Sequence, residues 1–280
     1  MVPSSRRDPQ QRTSLAPPLP LPTSELKRRF NSFLVQLGEV AILSGRTIVS
    51  LPKRPLEIPA IVYQMESLGV RSLSIVATTS IFIGMVMTIQ FAYGLQRFGG
   101  LEYIPRVVTL SFLRELAPTL TAIIVGGRIG SGMAAEVGAM NVTEQVDAIR
   151  ALGADPVKKL VLPRCAAAVI VMPVLSLFAL VLGVVGAMIV SSLQYRISPR
   201  WFMDSSLEVV VMSDFFAGLF KTPFFGFIMA IVGCHFGLRT RGGTEGVGQS
   251  TTKTVVAVSI AILIADFILT KIAMMFGMGG

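Results

Sequence analysis

Five runs of mostly apolar residues, at about 72–96, 105–127, 161–193, 215–238 and 254–276, constrain this chain more than any other feature. Each is long enough, at about 1.5 Å of rise per helical residue, to cross a hydrocarbon core of roughly 30 Å. The third is long for one span, but no polar turn divides it. Pro163 and Pro173 near its start read as a lead-in or kink, not a boundary between two helices. The expected fold class is therefore an all-α integral membrane protein with five crossings. Composition agrees: 52% of the 280 residues are hydrophobic and 15% charged, where a soluble domain carries roughly 25% charged residues. That argues against a soluble enzyme, a disordered chain and a disulfide scaffold. The two cysteines, Cys165 and Cys234, lie inside apolar runs and read as packing groups, and His235, the one histidine, leaves no His-based metal site or catalytic triad. No cofactor is expected.

The net charge of +9 would suggest nucleic acid in a soluble protein, but membrane topology explains it here and no nucleic-acid partner is expected. Residues 1–71, 128–164 and 239–253 hold ten, five and three Lys and Arg, against four (Arg97, Arg106, Arg196, Arg200) on the opposite side. This asymmetry puts the N-terminus in the cytoplasm, and five spans then put the C-terminus on the far side.

Residues 1–23 are proline-rich and read as a disordered tail, with no signal peptide. Over 24–56 an amphipathic helix is expected, capped by Ser24: Leu26, Phe30, Phe33, Leu34, Leu37, Val40 and Ala41 recur at helical spacing opposite Lys27, Arg28, Arg29 and Glu39. A basic face beside a Phe/Leu face suits a helix lying in the membrane interface, or one packed on a soluble partner. Pro52, Pro55 and Pro59 end it, and 57–280 forms the five-span domain.

Between the second and third spans, Val142, Val146, Ile149 and Leu152 form a helical stripe, with Thr143, Glu144, Gln145 and Asp147 on the remaining surface. A short cytoplasmic helix at about 141–153 follows, either offered to a cytosolic partner or packed on its own spans. The glycines before it form no nucleotide fingerprint, since the Gly-Lys-Ser/Thr ending and a preceding strand are missing. Gly126 with Gly130, or Gly132 with Ala135, instead suit close helix approach.

Ionisable groups at membrane depth are the second signal, because each is costly in hydrocarbon. Arg114 lies roughly 14 Å and Lys221 roughly 9 Å below the outer end of their spans, while Asp266 lies about 12 Å below the outer surface. Lys221 is expected to pair with Asp266. Arg114 and Glu115 are expected to line or brace a cavity open to the outer side; charge pairs that only fix helix register are the alternative for both sets. The first span adds Phe82, Met85, Met87, Gln90, Phe91 and Tyr93, an adaptable wall for an apolar ligand or ordinary core and lipid-facing residues.

The runs SIFIGMVMTIQ (80–90), SFLRELAPTLTAIIVGGRIGSGMAAEVGAMNVTEQVDAIRALGADPVKKLVLPR (111–164) and TTKTVVAVSIAILIADFILT (251–270) resemble the MlaE/YrbE family of ABC transporter permeases, which serve MCE-domain lipid transport systems. The resemblance covers about residues 25–276. It implies a homodimeric permease in a bacterial inner membrane, itself without enzymatic activity. The implied partners are cytosolic ABC ATPase subunits, an MCE-domain hexamer on the outer, periplasmic face and, in some systems, a STAS-domain protein; the implied cargo is phospholipid or a related lipid. By position, the helix from Thr143 to Leu152, with Glu136 and Thr143-Glu144-Gln145, resembles the coupling helix that engages the ATPase. Arg114 and Glu115, with Met87 and Gln90, match positions around the lipid pocket.

Two other classes compete. An ion-gradient-driven transporter would use Glu115 and Asp266 as protonatable carriers, but the five spans offer no convincing inverted repeat. A lipid-modifying enzyme would need a nucleophile-base or metal constellation that one histidine and scattered carboxylates do not supply.

Overall fold

In the computed structural model, residues 22–51, 57–275 and 277 are described. Most of the proline-rich segment 1–23, and Pro52 and Pro55, lie outside them. Among the described residues the secondary structure is helical throughout, with five helical rods long and apolar enough to span a membrane.

Helix α1 runs Pro22–Ser50, starting two residues before the expected cap. The chain divides into two compact units within it, between Ala41 and Ile42. In the first unit the apolar side chains of Leu34, Val35 and Leu37 stand exposed. In the second, Leu43 and Thr47 are buried on one face, and the Thr47 hydroxyl donates to the Leu43 carbonyl at 2.8 Å.

The five rods are α2 (Ile58–Gln96); a continuous rod comprising α3 (Ile104–Ser111), a π-helical segment (Phe112–Leu120) and α4 (Thr121–Val142); α6 (Leu162–Tyr195); α8 (Met212–Leu238); and α9 (Gly243–Met275). Two short helices lie between rods, α5 (Gln145–Ala151) and α7 (Pro199–Val209). All five spans are present, but α2, α4 and α9 each run some ten to fifteen residues past the apolar pattern, all at the end of the bundle that carries α5. Apolarity marks where hydrocarbon must be satisfied; the helix itself continues wherever its internal hydrogen bonds hold.

Alpha2 packs along α6, and α4 packs against α8 and α9. The buried stripe of α2 is Leu68, Ser72, Val76, Ser80, Gly84, Thr88 and Ala92, one residue in four and mostly small. Small residues let backbones approach, and between apolar helices in lipid that close packing is the main source of attraction. Of the glycines expected to serve this purpose, Gly126 and Gly130 do so, facing Val258 and the neighbouring Ile262 and Thr254 on α9. Gly132 does not: no heavy atom lies within 4 Å of where its Cβ would be.

The expected stripe from Val142 to Leu152 is broken. Alpha4 ends at Val142, and Glu144 takes a left-handed conformation (φ 60°) before α5 begins, which resets the helical phase. Val146 is therefore fully buried while Leu152 is 86% exposed.

Candidate functional site

Pro118 organises the intramembrane site. In a π-helical turn the N–H of residue 118 would bond to the Leu113 carbonyl; proline has no N–H, so that oxygen loses its partner. The backbone of Gly218 on α8 lies against it, and a methyl at Gly218 would overlap the Leu113 oxygen and stand 3.6 Å from Pro118 Cγ. We expect Gly218→Ala to lower stability by about 1–3 kcal/mol, because a backbone carbonyl cannot move aside as a side chain does. An unchanged melting temperature of the purified variant would show that this contact can relax.

One turn further along α8, Lys221 enters the same gap, its side chain 3% exposed. Its three N–H groups are shared among four acceptors: Thr270 Oγ1 at 2.7 Å, Glu115 Oε1 at 2.8 Å, Asp266 Oδ1 at 3.2 Å and the Arg114 carbonyl at 3.3 Å. Thr270 in turn donates to Glu115 Oε1 at 3.2 Å. Asp266 and Thr270 stand one turn apart on α9, so the ammonium ties α8 to α9 and to the π segment at a single point.

Arg114 and Glu115 part company. Consecutive residues point about 100° apart on a helix, and here Glu115 turns to Lys221 while Arg114 turns to Asp214, with Nη2 and Oδ1 2.8 Å apart. Asp214, buried in the first turn of α8, was not anticipated. Its only sequence signal is an acidic residue at the start of a span, where the helix dipole favours it. Thr270 was also missed, although its spacing of four from Asp266 places both on one face. Arg114 keeps an unused donor: its Nε is buried with no hydrogen-bond partner among the described residues.

The expected pocket residues of the first span stand apart from this network. Met87 and Phe91 are half-buried on α2, and Gln90 and Tyr93 are exposed. Tyr93 accepts a hydrogen bond from Arg97 Nη2 at 2.9 Å. No hydrogen bond or ion pair joins Gln90 to Arg114 or Glu115 among the described residues.

At the α5 end, Val146 anchors the short helix while Thr143, Glu144, Gln145 and Asp147 are exposed. Asp147 pairs with Arg150 at 2.6 Å, and the Thr143 hydroxyl bonds back to the Ala139 carbonyl at 2.8 Å. Glu136, on α4 rather than α5, lies 3.1 Å from the buried Arg164 of α6. Cys165 and Cys234 are free and buried, and among the described residues no three His, Cys, Asp or Glu side chains gather as metal ligands.

Residues 61–272, and with them every group just described, match the Permease MlaE family. The chain belongs to that family. A probable ABC transporter permease protein of Synechocystis is 45% identical over 207 residues, covering 74% of this chain and 79% of its own. Another, of Rickettsia typhi, is 40% identical over 240 residues, covering 86% and 93%. The Arabidopsis thaliana protein TRIGALACTOSYLDIACYLGLYCEROL 1, chloroplastic, is 38% identical over 232 residues, covering 83% and 66%. This MlaE permease is thus a multi-pass membrane subunit of an ABC transporter; it is not itself an enzyme, and it works with an ATPase partner.

Proposed function

We propose that this MlaE permease moves phospholipid or a related lipid across or out of a bacterial inner membrane, driven by ATP hydrolysis in two cytosolic ATPase subunits. It works as a homodimer, with α5 and Glu136 facing the cytoplasmic ATPases. The opposite end hands lipid to an MCE-domain hexamer, with a STAS-domain protein attached in some assemblies. The N-terminus is cytoplasmic and the C-terminus periplasmic, as the Lys and Arg asymmetry argues. The first unit of α1, with Leu34 and Leu37 exposed, lies in the interface.

Family membership supports the transport class, and a relative named for a galactosylated diacylglycerol supports a lipid cargo. The observation that carries the site is Arg114. A guanidinium at membrane depth, oriented by the buried Asp214 and with its side chain one-third exposed, is suited to an anionic headgroup. Met87, Gln90, Phe91 and Tyr93 of each protomer then supply the wall for the acyl chains, and Glu115 braces Arg114 through Lys221.

The protein isolated from its native membrane in mild detergent should bring with it an ATPase, an MCE-domain protein and phospholipid, all identified by mass spectrometry. Arg114→Gln, whose amide can still donate to Asp214, should leave that assembly intact while reducing co-purified lipid and ATP-dependent lipid transfer by about tenfold or more, the size of one lost charge-assisted contact. Wild-type retention and transfer in that variant would remove Arg114 from the site. Recovery of the chain without an ATPase, under conditions that preserve other ABC complexes, would favour a gradient-driven transporter.

A further inference from the structure

We propose that a second site, at the α5 end of the bundle, binds the phosphate of a lipid headgroup drawn from the adjoining leaflet. A cleft of about 500 Å³ opens there between residues 64–71 of α2, 128–136 of α4 and 251–255 of α9. Two arginines line it, Arg71 and Arg128. Arg128 is pre-set: its Nη1 donates to Ser72 Oγ at 2.7 Å, and the fully buried Ser72 is fixed by its own bond to the Leu68 carbonyl at 2.6 Å. Nε and Nη2 of Arg128 remain for a ligand. Arg71 makes no hydrogen bond or ion pair among the described residues.

The carboxylate on the wall does not cancel this charge. Glu136 is held by Arg164, leaving Arg71 and Arg128 as two uncompensated cations over one cleft. Gln64 and Ser67 share the α2 face of Arg71 at spacings of seven and four, adding neutral donors. Two guanidinium groups with flanking donors match a phosphate, which offers several acceptor oxygens to bidentate partners.

Depth selects a lipid over a free anion. The apolar pattern of the sequence begins at 72 on α2, ends at 127 on the second span and begins at 254 on α9. Arg71, Arg128 and Thr252 each stand within two residues of those boundaries, so the inner edge of the cleft, where both arginines stand, reaches the level where headgroups meet hydrocarbon. Leu68, Ile129, Met133 and Val255 give the cleft an apolar flank beside the hydroxyls of Ser131, Thr251 and Thr252, and the first carbons of acyl chains would lie along that flank. The open space beside Gly132 belongs to the same cleft.

The test measures binding to the full-length protein in detergent, by native mass spectrometry with dihexanoyl phosphatidic acid. The Arg114→Gln background excludes the site proposed for transport. Arg71→Gln and Arg128→Gln should each weaken binding about tenfold or more, and Arg71→Lys should recover part of it. Gly132→Leu, which extends into empty space and leaves the fold intact, should abolish it. Because Arg71 is exposed and Gly132 meets nothing, these two variants remain informative if Arg128→Gln fails to fold. Wild-type affinity in Arg71→Gln and Gly132→Leu would overturn the site. Equal binding of dihexanoylglycerol would show that phosphate is not recognised, and full competition by inorganic phosphate at matched concentration would show a free-anion site; either outcome overturns the proposal. No ATPase is present in the assay, so its failure leaves the transport reading untouched.

Discussion

Lys221→Met should destabilise the protein by about 3 kcal/mol, because it removes the cation from among groups that cannot replace it. Glu115 Oε1 and Asp266 Oδ1 lie 2.8 and 3.2 Å from Nζ, so the two carboxylates face each other across a gap that only the ammonium makes tolerable. The Lys221 side chain is 3% exposed, so water cannot take its place; Glu115, at 42%, can turn partly away, which keeps the loss near the lower end of the range for a broken buried pair. A fall in melting temperature of ~6–12 °C in detergent is expected. Adding Asp266→Asn should return part of that loss, and adding Glu115→Gln more, since each removes one stranded charge. If neither second change recovers any stability, the three groups do not act as one unit.

The reach of the sequence follows the physics of each feature. The five spans were legible because hydrocarbon imposes a length and an apolarity that no soluble helix must satisfy. Depth arithmetic placed Lys221 and Asp266 at similar levels below the outer surface, and level alone predicts partners when charges are this scarce. Arg114 and Glu115 diverge by about 100°, as helix geometry requires, yet each takes a partner from α8, because Asp214 and Lys221 lie two turns apart along it. Asp214 was lost because it sits at the edge of a span, where an acid reads as part of a loop; its burial depends on how α8 leans on the π segment, which no local pattern encodes. The stripe through α5 failed for a related reason. Helical counting assumes one continuous helix, and the left-handed Glu144 resets the count.

Gly84→Val should prevent assembly of the bundle, whereas Gly94→Val, ten residues along the same helix, should be tolerated. A Cβ at Gly84 would overlap the Gly183 carbonyl of α6 and stand 3.1 Å from the Ala187 backbone nitrogen. The contact is reciprocal, for a Cβ at Gly186 would overlap the Ile81 carbonyl of α2. Both sides of this seam are backbone, so no rotamer change relieves the overlap, and the helices must separate along the whole of α2. Separation forfeits the dispersion contacts that hold apolar helices together in lipid, at a cost of about 3 kcal/mol or more. Gly94 meets no heavy atom within 4 Å, so valine there changes only intrinsic helix preference, where it is slightly better than glycine. The contrast isolates packing from propensity: size-exclusion yield and melting temperature should collapse for Gly84→Val and hold for Gly94→Val. Equal behaviour would mean that α2 can shift on α6 by the width of a methyl. In that case the positions of Arg71, Met87 and Gln90 would be adjustable, and α2 itself would be free to move during a transport cycle.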